Sequence, residues 1–125
     1  LTTIPIHKEV VLDALQLART IVNTLEEHKG EDILLLDVRS LAPFTDYFVI
    51  CSGNTDRLID ALAESAREAA WKQHHVHART EGTPQSGWIL LDFGDVVVHI
   101  FTPELRDYYR LEDLWAEGKV VLHLQ

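Results

Sequence analysis

The sequence predicts an α/β fold, a two-layer sandwich in which a mixed β-sheet carries flanking helices. Three observations lead there. Two long segments place apolar residues at helical spacing, while several short runs rich in Val, Ile and Phe have the length of strands. Phe93-Gly94 separates two such runs and suits a tight hairpin, which requires antiparallel pairing. A strand, a helix and another strand in mid-chain favour a parallel pairing, so the sheet is mixed. With 125 residues, 46% of them hydrophobic and 25% charged, the chain suits one hydrophobic core.

Taken in order, the first helix is expected from about Lys8 to His28, with Val11, Ala14, Leu15, Ala18, Val22 and Leu25 as its apolar stripe. Lys29-Gly30 closes it, a cation near the negative helix end and then a glycine for the left-handed cap. Ile33 to Leu36 and Tyr47 to Ser52 read as buried strands, joined by a loop that contains Pro43. Asn54 or Thr55 caps a second helix running to about Gln73, with Ile59, Leu62, Ala63, Ala66 and Ala70 facing inward. A strand is expected around Val76 to Thr80, followed by a polar loop from Glu81 to Gly87. Trp88 to Leu91 and Val96 to Phe101 form the hairpin. Thr102 then caps a short helix with Pro103 at its first position, and Leu105, Tyr108 or Tyr109, and Leu114-Trp115 give it an apolar side. Val120-Val121-Leu122 adds a last extended segment.

Composition narrows the function. The formal net charge is −9, and the 11 Lys and Arg are scattered among 20 Asp and Glu. A protein gripping phosphates needs a basic stripe, so direct nucleic-acid binding is disfavoured as the main activity. A basic protein partner is permitted, and long-range attraction would speed such encounters. No run approaches the roughly 18 apolar residues of a membrane span. Leu1-Thr2-Thr3-Ile4-Pro5 lacks the basic start and apolar stretch of a secretory leader, and the absence of Met makes Leu1 a trimmed start or a point inside a longer product. The single Cys51, without basic neighbours, reads as a small core residue in a reducing cytoplasm.

Three segments carry more than a fold: Thr45 to Asn54 (TDYFVICSGN), Gly87 to Phe101 (GWILLDFGDVVVHIF) and Arg106 to Trp115 (RDYYRLEDLW). In wording and order they resemble the ribosomal silencing factors of the RsfS/Iojap family. The resemblance covers roughly residues 10–115, leaving 1–9 as an N-terminal extension and 116–125 as a C-terminal tail. It implies a fold related to nucleotidyltransferases and a regulatory protein without catalysis or cofactor. It implies docking on the large ribosomal subunit, through large-subunit ribosomal protein number fourteen, where the bulk of the domain blocks small-subunit joining and represses translation. A homodimer is left open, and a self-associating assembly adaptor is a rival reading.

The resemblance places the motif tryptophan, here Trp88, in the docking surface. Strand alternation puts Trp88, Leu90 and Asp92 on one face and Ile89 and Leu91 on the other. A face mixing Trp with an acid is less like a sealed core than its apolar opposite, and interfaces favour Trp anchors. A loop of Phe93-Gly94 sets Asp92 opposite Asp95, a repulsive pair. They are either solvated hairpin acids or a seat for a cation of the basic partner. Arg106 and Tyr109 complete the candidate set, though Arg106 serves equally as an internal partner for Asp92 or Asp95. His74-His75-Val76-His77 lacks a completing Cys or carboxylate and reads as a charged helix end rather than a metal cluster. His99 reads as a hydrogen-bonded sheet histidine. The alternative, a nucleotidyltransferase-like enzyme, rests on the Ser52-Gly53-Asn54 turn. Such enzymes need paired metal-holding acids, and only Asp56 and Asp60 follow, on a helix.

Overall fold

The computed structural model describes residues 6–125, with side chains from 13 onward. The first apolar stripe builds α1 (Ile6–Glu27). Ala14, Leu17, Ala18, Ile21, Val22 and Leu25 are buried along it, a spacing of three and four that makes one inward face. Leu15 is only partly buried, so this face is rotated toward Leu17 and Ile21. Val11 lies outside the described side chains, and positions 1–5 lie outside the described residues. Lys29, not Gly30, adopts the left-handed backbone after the helix, at φ 71°. Gly30 is needed for space: a Cβ there would stand 2.5 Å from Cys51 Sγ.

The strands are β1 (Glu31–Asp37), β2 (Tyr47–Ser52), β3 (Arg79–Thr83), β4 (Trp88–Asp92), β5 (Val96–Phe101) and β6 (Lys119–Leu124). They form one sheet in the order β3-β4-β5-β2-β1-β6. The parallel pair is β2 with β5, and every other pairing is antiparallel. After β2, α2 (Asp56–His74) crosses to the far edge, and the chain returns strand by strand until β5 lies beside β2. Thr55 caps α2 by accepting from the Leu58 N–H at 3.1 Å. Ile59, Leu62, Ala63, Ala66 and Ala70 are buried beneath it as expected.

Both central strands are buried at every residue, which is why they read as unbroken apolar runs. On one face α1 and α2 seal Ile33, Leu35, Val49, Cys51, Leu91 and Ile100. The other face is covered only in part. There the short α3 (Pro103–Tyr109), α4 (Leu111–Leu114) and the 38–46 loop pack Leu105, Leu111, Trp115, Val38 and Ala42 over Leu34, Leu36, Phe48, Ile50 and Phe101. At the β3–β4 end this cover thins: Trp88, Leu90 and Asp92 of β4 are only partly buried and β3 is exposed.

The last extended segment, expected at Val120-Val121-Leu122, is the edge strand β6, paired along β1. Two further expectations need correction. The third strand begins at Arg79 and takes in Glu81-Gly82-Thr83, which read as loop. All five of its residues are exposed, so no apolar alternation marks it. The hairpin register is displaced by one residue. Asp92 pairs with Val97, and the Phe93 N–H meets the Val96 carbonyl at 2.9 Å, so Gly94-Asp95 is the turn. Asp92 and Asp95 therefore do not oppose one another.

Candidate docking surface

Register across the sheet lays out the partly covered face in rows. Opposed residues of neighbouring strands share a face. One row runs Thr83, Trp88, Phe101, Ser52, and the next runs Glu81, Leu90, His99, Ile50, Leu34. A third runs Arg79, Asp92, Val97, Phe48, Leu36. Moving from β2 toward β3, the rows change from buried apolar to half-buried and then to exposed polar residues.

Where Trp88 and Leu90 emerge, the backbone leaves a groove of about 300 Å³, lined by Glu81, Gly82, Ser86, Trp88, Leu90, Leu105 and Tyr109. Its walls follow from local chemistry. Thr102 accepts the Leu105 N–H at 3.3 Å and starts α3 over the sheet. That places the Tyr109 ring 4.9 Å from the Trp88 ring. On the opposite side, Thr83 and Ser86 cap one another's backbone N–H groups, which fixes the turn between β3 and β4. Gly82 sits at φ 85°, and a Cβ there would lie 2.1 Å from the Trp88 carbonyl oxygen. No other residue type fits that position.

Trp88 is partly buried. Its ring lies 4.8 Å from Phe101, and its Nε1–H donates to His99 Nδ1 at 3.3 Å. His99 is 7% exposed, and burial pushes its pKa down to about 4, so the ring is neutral at pH 7. The sheet-histidine expectation thus meets a specific partner. Leu90 and Tyr109, the latter 47% exposed, join Trp88 in the groove.

The remaining expected residues go elsewhere. Asp92 lies four positions along β4 from Trp88. It accepts from the Gly94 N–H at 2.8 Å and pairs with Arg79 at 3.2 Å, so its charge already has a cation. Asp95 is exposed at the hairpin tip and borders a separate cavity beside Asp13, Gln73 and His74. Arg106 is 6% exposed and turns inward. Its guanidinium binds Glu112 at 2.9 Å, Ser52 Oγ at 2.9 Å and the Asp32 backbone carbonyl. It is an internal partner, but of Glu112 and Asp32 rather than of Asp92 or Asp95. Glu81, Gly82 and Ser86 were missed as groove residues because the polar β3 and its turn read as loop, and Leu105 was read only as part of the apolar side of its helix. The Thr83-Pro84-Gln85-Ser86 spacing, a hydroxyl pair three apart, was the signal that could have marked the turn.

Cys51 is fully buried, and burial raises its thiol pKa to about 12, which makes it inert packing. At the Ser52-Gly53-Asn54 turn, the Gly53 N–H is taken by the Phe101 carbonyl and Asn54 binds Glu31. Asp56 and Asp60 are exposed on α2. Among the described residues no group of three His, Cys, Asp or Glu is placed to hold a metal. His74 bonds Thr20 at 2.8 Å, and His77 stacks on Trp71. Among the described residues no helix is long and apolar enough to cross a membrane.

A family model described as "Ribosomal silencing factor during starvation" matches residues 11–125. The chain belongs to the ribosomal silencing factor family. It is 38% identical over 109 residues to the ribosomal silencing factor RsfS of Halalkalibacterium halodurans, covering 87% of this chain and 91% of that protein. A crystal structure of a Chromobacterium violaceum protein superposes with a TM-score of 0.78 at 35% identity, over 82% of this chain and 86% of that one. It is also 33% identical over 102 residues to the mouse protein named mitochondrial assembly of ribosomal large subunit protein 1, covering 77% of this chain and 43% of that protein. The silencing-factor match includes β6. The three segments that carry the resemblance converge on the partly covered face: Phe48 from the first, Trp88, His99 and Phe101 from the second, and Tyr109 and Trp115 from the third.

Proposed function

We propose that this silencing factor binds the large ribosomal subunit through ribosomal protein number fourteen and that its bulk then prevents the small subunit from joining, repressing translation. The groove beside Trp88 is the docking point. Trp88, Leu90 and Tyr109 supply apolar contact, with Leu105 behind them. Glu81 at the rim supplies negative charge, and Asp95 at the hairpin tip adds long-range attraction. Arg106 is not part of this surface because its guanidinium is buried.

One observation carries the reading: an apolar groove with an exposed acid at its rim stays open on a protein of net charge −9. An apolar anchor in an acidic frame suits a basic protein better than a nucleic acid. The name of the mouse relative, which speaks of the ribosomal large subunit, supports the choice of subunit. Cosedimentation of the purified protein with isolated large and small subunits tests it. Binding to large subunits alone, with fewer joined ribosomes, is expected; equal binding to both subunits, or to neither, overturns the assignment.

A further inference from the structure

We infer that His99 is a positioning residue for docking: its Nδ1 accepts the Trp88 Nε1–H and so fixes the indole pose that the partner meets. This deepens the proposed docking function and rests on Trp88 being a contact residue.

The indole nitrogen is a donor only, so His99 must be the acceptor in this 3.3 Å bond. A neutral imidazole accepting at Nδ1 carries its proton on Nε2, which makes one tautomer compatible with the contact. Protonation would set N–H against N–H. The surroundings hold the ring in place: Phe48 meets it edge-on at 5.5 Å, and the Phe101 ring lies nearly parallel to it at 6.0 Å. No charged group contributes to the lowered His99 pKa, for which burial is the cause.

The residue type itself is informative. Position 99 lies within a strand whose residues are all buried and otherwise apolar. Valine or leucine would fill it without the desolvation cost of a histidine. A buried polar group kept at such a cost marks a place where something other than packing is required. Here it is an acceptor directed at Trp88. The χ2 torsion of tryptophan is broad. Without the acceptor, the half-buried indole is free to turn its N–H toward the groove and occlude the apolar surface. An interface side chain held in its bound pose loses less freedom on association, and affinity rises accordingly.

Two substitutions at His99 separate positioning from packing. His99→Asn keeps an acceptor near the Nδ1 position, whereas His99→Phe fills the volume without one. The readouts are the Trp88 indole N–H resonance and affinity for large subunits. His99→Phe is expected to shift or broaden that resonance and to weaken binding by roughly three- to tenfold. His99→Asn is expected to restore both toward the parent. A folded His99→Phe protein with parental affinity overturns the role, as does a folded His99→Asn protein as defective as His99→Phe. If His99→Phe fails to fold, the imidazole nitrogen shifts of the parent decide the matter, since a proton on Nδ1 is incompatible with the proposal. Trp88→Ala separates the two readings. If it binds like the parent, the docking reading falls and His99 with it; if it loses binding while His99→Phe keeps it, only the positioning role falls.

Discussion

Trp88 has two loyalties, to the Phe101 ring below it and to the groove above it, and substitution has to be read against both. Trp88→Ala is expected to cost at least about 2 kcal/mol of large-subunit affinity, roughly thirtyfold. Thermal stability measured on the same preparation shows whether the protein stays folded; a folded variant with parental affinity removes Trp88 from the interface. His99 carries the second expectation at this scale. Its folded pKa of about 4 lies below the ordinary 6.5, so between those values the unfolded chain binds more protons. Stability is therefore full above pH 6.5 and declines as pH falls toward 4, by about 3 kcal/mol across the window. Urea unfolding at pH 7.5 and pH 5 should show the decline, and His99→Asn should lose most of it. Asp37, whose pKa Arg39 holds below the ordinary 3.8, gives up its contribution only at more acid pH.

Among the elements, those with a buried pattern were legible and those without one were not. The all-buried β2 and β5 and the inner face of α2 carry their positions in the spacing of apolar residues. β3 has five exposed residues and no alternation, so only its pairing with β4 defines it. The hairpin shows how one hydrogen bond decides a site. Asp92 and Asp95 were read as a facing pair, but the Phe93–Val96 bond moves the turn by one residue and sends the acids to different neighbours. Trp88 and Leu90 were legible because alternation on β4 does not depend on the turn. Arg106 was ambiguous because no sequence spacing announces that Asp32, 74 residues away, lies within reach. Its bonds tie α3 to α4 and to the start of β1. Arg106→Gln is expected to cost about 3 kcal/mol, the lower part of the range for a broken buried ion pair, since Asp32 and Glu112 retain access to water. Thermal unfolding checks this, and an unchanged Tm would show that the brace is dispensable.

For the whole molecule, the division of labour between the two faces governs what the protein can do. The face under α1 and α2 is closed, and the turn at Ser52-Gly53-Asn54 spends its Gly53 N–H and its Asn54 side chain on internal bonds. We therefore expect no nucleotidyl transfer with Mg²⁺ or Mn²⁺ and any common nucleotide; turnover that disappears on substituting Asp46 or Asp92 would contradict this. The proposed docking groove lies at the β3–β4 end of a six-stranded sheet whose opposite edge is β6. Five inter-strand spacings of about 4.8 Å make that a cantilever of roughly 24 Å. A molecule held at one end projects the rest of itself beyond its foothold, so obstruction scales with overhang and not with contact area. A fluorescent protein joined after Gln125, at the free end of the beam, should leave large-subunit affinity unchanged and lengthen the obstruction.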